Sequence, residues 1–165
     1  MTIVVRAEDI AATPWKNGGG LARDLLCSPS AADWRWRISL ADVNADGPFS
    51  SYPGVQRWFA VVDGAGVELD FGGRPVVVRA GDSPLEFDGA AAPGCRLIAG
   101  PTRDLNLMLH GIQGTLQCAE PGVPWSADWP LRGRFDFATL TLHWGLPAGP
   151  AISSTPGLWV GVASP

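Results

Sequence analysis

Apolar and polar residues alternate most regularly over residues 34–43, WRWRISLADV, where Trp34, Trp36, Ile38 and Leu40 fall on one side and Arg35, Arg37, Ser39 and Ala41 on the other. A period of two predicts a strand with one face in a core, and its basic and hydroxyl face meets either solvent or the wall of a polar cavity. Residues 57–71, RWFAVVDGAGVELDF, predict two strands around a turn at Asp63, Gly64, Ala65 and Gly66, a typical hairpin signal. A further strand is predicted over 75–80, before a turn at Gly81 and Asp82. Short strands follow at 85–87, 95–99, 105–110, 116–118 and 135–144, separated by proline and glycine clusters. This spacing suits a sandwich or barrel. Residues 8–12 support one helical turn, and no window carries a long amphipathic helix. Residues 121–130, PGVPWSADWP, read as an ordered loop between lobes, because two tryptophans are costly to leave in water, while 145–156 reads as irregular.

Composition narrows this picture. The chain has 165 residues and 17.4 kDa, enough for one domain or two tightly fused lobes with a sizeable core. Hydrophobic residues make up 46% and charged residues 17%, and 21 glycines with 15 prolines favour short strands and turns, so the fold class is all-β. A net charge of −4 and the lack of any basic run argue against nucleic acid or an anionic membrane as the main partner. Cys27, Cys95 and Cys118 are odd in number and far apart, which predicts reduced, buried thiols rather than a disulfide framework or a CxxC site. The start MTIVVRAEDI has no secretory pattern, and no apolar run approaches the roughly 18 residues of a membrane helix, so a cytoplasmic location is expected.

The stretch TPWKNGGGLARD at 13–24 breaks the alternation with three consecutive glycines. Gly18, Gly19 and Gly20 point either to positive φ angles and close backbone approach, or to a flexible loop after a short first strand. Trp15, Lys16 and Asn17 stand beside that opening.

Three blocks together resemble the HutD/Ves family: PWKNGGG followed by Arg23 and Asp24; WRIS followed by ADV, DGPFS, YPG and Arg57; and GPTRDLNLM at 100–108. They occupy the first two thirds of the chain in the family's order. The resemblance implies an RmlC-like cupin double-stranded β-helix, with two fused cupin-like barrels (a bicupin) in one compact chain. The lobes would span about 1–100 and 101–165 with some strand exchange, the second more degenerate. It also implies a role in histidine utilisation, with a metabolite such as formylglutamate as ligand, or in stress response for the Ves branch.

Cupins usually hold a metal through an HxH pair, a glutamate and a later histidine. In this chain GPFSSYPG at 47–54 stands where the HxH is expected, and the two histidines, His110 and His143, have no partner at ligand spacing. No metal and no cofactor are therefore expected. A metal-free barrel must work through hydrogen bonds and charge. Lys16, Arg23, Arg37 and Arg57 offer cations for an anionic metabolite, a carboxylate such as formylglutamate or formate. Asn17, Ser39 and Asn106 offer neutral donors and acceptors, Asp104 can lock an arginine or bind an amine, and glycine amides from Gly18 onward can approach the ligand. Trp15 completes the ligand-binding set.

Other readings of the same residues stay open. Arg37 and Arg57 can pair with Asp42, Asp46 or Asp104 in a structural network, and Lys16 can be a solvated charge. Ser50 and Ser51 lack a GxSxG elbow, so binding is preferred over catalysis, with no catalytic residue assigned. The alternatives are a metal-independent isomerase or lyase in which Asp104, Lys16 or His110 moves a proton, and an interaction protein that forms a homodimer or holds a partner through Trp125, Trp129 or Trp159.

Overall fold

The computed structural model describes residues 1–164. In chain order its strands are β1 (Ile3–Arg6), β2 (Thr13–Pro14), β3 (Gly20–Pro29), β4 (Trp34–Val43), β5 (Gly47–Pro48), β6 (Val55–Asp63), β7 (Val67–Asp70), β8 (Pro75–Val78), β9 (Leu85–Asp88), β10 (Gly94–Leu97), β11 (Thr102–His110), β12 (Gly114–Ala119), β13 (Leu131–Asp136), β14 (Thr141–Trp144) and β15 (Gly157–Val162). A 3-10 turn at Ala7–Asp9 accounts for the helical signal of residues 8–12. Among the described residues no helix is long and apolar enough to cross a membrane.

The described residues form three antiparallel sheets. The middle one runs β2-β3-β4-β11-β6-β9; the others run β5-β10-β7-β8 and β1-β14-β13-β15-β12. Strand alternation assigns the faces of the middle sheet. Trp36, Ile38 and Leu40 of β4, Leu105, Leu107 and Leu109 of β11, and Ala60 and Val62 of β6 meet Phe135, Leu142, Leu158 and Val160 of the five-stranded sheet. On the opposite face, Val43, Phe59 and Val61 pack against Phe49, Val67, Leu69 and Phe87. At one end of this second face the apolar residues give way to Arg37, Ser39, Arg57, Asp104 and Asn106.

The structure differs from the sequence pattern at five places. β6 and β7, expected as a hairpin, do not pair with each other: β6 pairs with β11 and β9 in the middle sheet, while β7 crosses to the four-stranded sheet and pairs with β10 and β8. Trp34 departs from the apolar face at an irregularity in the β3/β4 register and lies against the Arg37 guanidinium, 4.8 Å from its carbon. Residues 20–29 form a full strand that alternation does not reveal, because a bulge between Asp24 and Leu26 sends both Leu25 and Leu26 toward the large core. Residues 135–144 are two strands, not one: Leu140 turns the chain with φ +50°, and Asp136 accepts from the Thr139 amide at 2.9 Å. β15 is buried at all its positions and carries no period of two.

Of the tryptophans expected to be available for a partner, Trp125 and Trp159 are buried and Trp129 is half-buried. Trp125 and Trp159 stack at 5.1 Å with nearly parallel rings, and Trp129 lies on Gly161. They seal the outer face of the five-stranded sheet.

Candidate binding cavity

Antiparallel register gathers the polar side chains. Met108 of β11 pairs with Arg37 of β4 on one side and Arg57 of β6 on the other, while Asn106 pairs with Ser39 and Phe59. Residues of one parity on three neighbouring strands therefore share a face, and that face opens into a cavity of about 530 Å³. The β2–β3 turn and the loop after β5 close over it, so Trp15, Lys16, Asn17, Arg37, Ser39, Arg57, Asp104 and Asn106 all line it.

Arg57 is the least solvated cation of this wall, at 6% exposure. Its Nη2 donates to Asn106 Oδ1 at 3.0 Å, and Asn106 Nδ2 donates in turn to Asp104 Oδ1 at 2.5 Å. Arg57 Nε and Nη1 and Asp104 Oδ2 are buried without a partner. Buried polar atoms are normally satisfied, so donors and an acceptor left free in a cavity mark a place for a ligand. The Arg57 guanidinium also lies over Phe87, Phe49 and Tyr52, at 5.0, 5.4 and 5.7 Å from the ring centres. Arg37 stands between Trp34 and Tyr52; its Nη2 contacts Met108 Sδ at 3.0 Å, and its Nε is 3.8 Å from Asp24 Oδ1.

Desolvation acts on both charges. Burial draws Arg57 down to about 10 despite the nearby Asp104 carboxylate, which still leaves it charged at neutral pH. Burial raises Asp104 to about 7, against the hydrogen bond from Asn106 and the charge of Arg57 and helped by Asp42. Cys95, in the adjacent core, is pushed up to about 12 by burial and then by Asp104 and Asp46, so its thiol is unreactive. Cys27 and Cys118 are half-buried rather than buried, and burial raises them too.

Two of the expected site residues lie elsewhere. Arg23 is on the reverse face of β3, since its neighbours Ala22 and Asp24 take the cavity side; its Nη1 donates to Asp42 Oδ2 at 2.9 Å, and Arg103 Nε binds the other oxygen at 2.9 Å. Gly18 turns the loop outward with φ +73°. Its amide bonds the Trp15 carbonyl at 3.0 Å and the Gly19 amide bonds Asn17 Oδ1 at 2.9 Å, so these amides are used by the turn rather than presented to a ligand. Asn17 Nδ2 reaches the Pro48 carbonyl at 3.3 Å and ties the turn to the covering loop.

Asp24, Phe49, Ser50, Ser51, Tyr52 and Met108 also line the cavity, although none belongs to the expected ligand-binding set. The signal for four of them was present in GPFSSYPG, the segment standing where the metal motif was expected. A cupin metal does not fit this wall. Its donors are Asp24 and Asp104 among guanidinium groups, and among the described residues no three His, Cys, Asp or Glu side chains form a metal-holding group. His110 sits at the far end of β11, its ring 6.4 Å from that of Trp34, and His143 belongs to β14 in the five-stranded sheet.

The HutD family model matches residues 7–121, the segment that builds the cavity. The chain belongs to the HutD family. It is 34% identical over 107 residues to an uncharacterized 21.2 kDa protein in the hutC 3' region of Pseudomonas putida, covering 64% of this chain and 56% of that protein. Protein Ves of Citrobacter koseri is 33% identical over 96 residues, covering 57% of this chain and 50% of Ves. The chain thus spans about half the length of these curated relatives. The solved structure of HutD from Pseudomonas fluorescens SBW25 superposes with a TM-score of 0.86 at 26% identity, over 99% of this chain and 98% of that one. More distant solved structures, at TM-scores of 0.65 and 0.70 and identities of 10% and 7%, share the fold alone; this HutD-family chain has an all-β cupin fold.

Proposed function

We propose that the cavity binds a small carboxylate metabolite and that binding, rather than turnover, is the task of this protein, in a regulatory or accessory role in histidine utilisation. One observation carries the reading: Arg57, charged and desolvated, lines the cavity, and its buried Nε and Nη1 have no hydrogen-bond partner. An uncompensated buried cation is expensive, and an anion that satisfies it gains charge-assisted hydrogen bonds in a low-dielectric setting. Trp15, Phe49 and Tyr52 supply the apolar walls usual in small-molecule sites. The histidine-utilisation context rests on the names of the HutD and hutC-region relatives. The same reading takes the chain as a bicupin, with lobes of about 1–100 and 101 onward exchanging strands: β1 lies in the five-stranded sheet and β11 in the middle one.

Calorimetry with formate, formylglutamate, glutamate and urocanate tests the proposal. At least one should bind saturably at millimolar concentration or below, and Arg57→Met should weaken it roughly 10- to 100-fold, the loss of one charge-assisted contact. Silence from all four probes counts against a carboxylate ligand.

A second reading is favoured by Asp104 alone: a cavity acid near neutral suits proton transfer in an isomerase or lyase. Lys16 is exposed at the rim and His110 lies at the far end of β11, which leaves Asp104 as its proton carrier. Incubation of the same probes followed by proton NMR separates the readings, since conversion abolished by Asp104→Asn indicates an enzyme and unchanged spectra indicate a binder.

A further inference from the structure

We propose that the cavity takes its carboxylate together with a proton: Asp104 in its acid form donates from Oδ2 to one ligand oxygen while Arg57 donates to the other. The inference rests on the carboxylate reading above and adds the protonation state of the site.

Its geometric basis is the chain Arg57 Nη2 to Asn106 Oδ1 and Asn106 Nδ2 to Asp104 Oδ1. Asn106 separates the guanidinium from the carboxyl group, so Arg57 never neutralises Asp104 through direct contact. The Asn106 amide occupies Oδ1 as a donor, which fixes the carboxyl orientation and leaves Oδ2 buried and free in the same cavity wall as Arg57 Nε and Nη1. A carboxylate seated on Arg57 brings a second negative charge toward Asp104. Two carboxylates sharing one buried site favour a shared proton, because like charges at short range in a low-dielectric medium repel strongly. The bond is balanced: the proton stays on Asp104 Oδ2, and the ligand oxygen accepts.

Arg57 comes from β6, Arg37 from β4 and Asp24 from β3, with Tyr52 and Lys16 in the covering segments. Cys95 of β10 stays a thiol, and Asp42, on the reverse face of β4, is engaged by Arg23 and Arg103. Asp104 is the member of this group that burial brings into the neutral range. Carboxylate ligands are ionised throughout that range, so a pH dependence there belongs to the protein.

The test uses the full chain with formate and formylglutamate as probes, titrated by calorimetry at pH 6 and pH 8 in two buffers of different ionisation enthalpy. Affinity should fall roughly tenfold from pH 6 to pH 8, and at pH 8 binding should take up close to one proton. Asp104→Asn places an amide donor permanently at the Oδ2 position while its carbonyl still accepts from Asn106. That variant should lose the pH dependence and bind about tenfold more tightly than the unmodified chain at pH 8. Weaker binding by Asp104→Asn at pH 8, with unfolding behaviour preserved, overturns the proposal by making Oδ2 an ionised acceptor. Binding without proton uptake overturns it while leaving the carboxylate site standing, whereas no binding at either pH removes both. Sulfate serves as a comparison anion, and equal affinity for it would assign the site to charge alone.

Discussion

Asp104 and Asp136 carry the same side chain into opposite environments. Asp104 has one hydrogen-bond donor and full burial, so its acid form is favoured up to about pH 7. The folded state therefore holds a proton that the unfolded chain releases near pH 4. Stability attributable to this group is complete below that pH and lost as pH rises through 7, on the order of 4 kcal/mol in all. Replacing Asp104 by Asn should remove this loss, so the midpoint difference between variant and parent in thermal unfolding should widen from pH 4 to pH 8. Asp136 is also buried, which by itself would raise it, yet it collects bonds from Thr155 Oγ1 at 2.7 Å, the Thr139 amide and hydroxyl, and Arg134 at 3.0 Å. Those donors hold it below the usual carboxylate range. Its stability contribution is present above about pH 4 and lost as pH falls below that value, and Asp136→Ala should cost about 2–3 kcal/mol at pH 7 in urea titration. In sequence both residues are simply aspartates at strand positions. Only burial and the arrangement of donors tell them apart.

Strand β4 and the turn before β3 differ in how far sequence reveals them. The alternation of WRWRISLADV gave its two faces and placed Arg37 and Ser39 on the polar one, because a strand buried on one side and polar on the other repeats every second residue. β3 hid behind its bulge. The glycines ahead of it were legible as a special backbone, but their purpose was not: Gly20 is buried where an added Cβ would strike the Asp42 carbonyl and lie 3.0 Å from the Trp15 ring. Gly20→Ala should therefore destabilise the fold by about 1–3 kcal/mol in denaturant titration. The same substitution should weaken ligand binding, since the displaced turn carries Trp15, Lys16 and Asn17.

At the level of the whole molecule, the middle sheet serves two cores. Leu107 lies between β4 and β6 with no exposed surface, facing the five-stranded sheet, while its neighbours Asn106 and Met108 face the cavity. Leu107→Ala should cost about 2–5 kcal/mol. Because β11 is shared, tryptophan fluorescence and far-ultraviolet circular dichroism should shift together to a lower urea midpoint, whereas two separated transitions would show that the cores unfold independently. The chain by itself determined an all-β fold, its HutD-family blocks, and the cationic and amide residue types of the site, since alternation, glycine and proline punctuation and motif spacing are local properties. Tertiary structure decided which of those residues meet. Arg57, Asn106 and Asp104 become one hydrogen-bonded chain only through the β6–β11 register, and Arg23 leaves the site because parity on β3 turns it away. Tyr52 enters because the loop after β5 folds over the sheet. Register and loop closure are relations between distant segments, and desolvation follows from them, which is why the free Arg57 nitrogens and the acid Asp104 are visible only in the folded molecule.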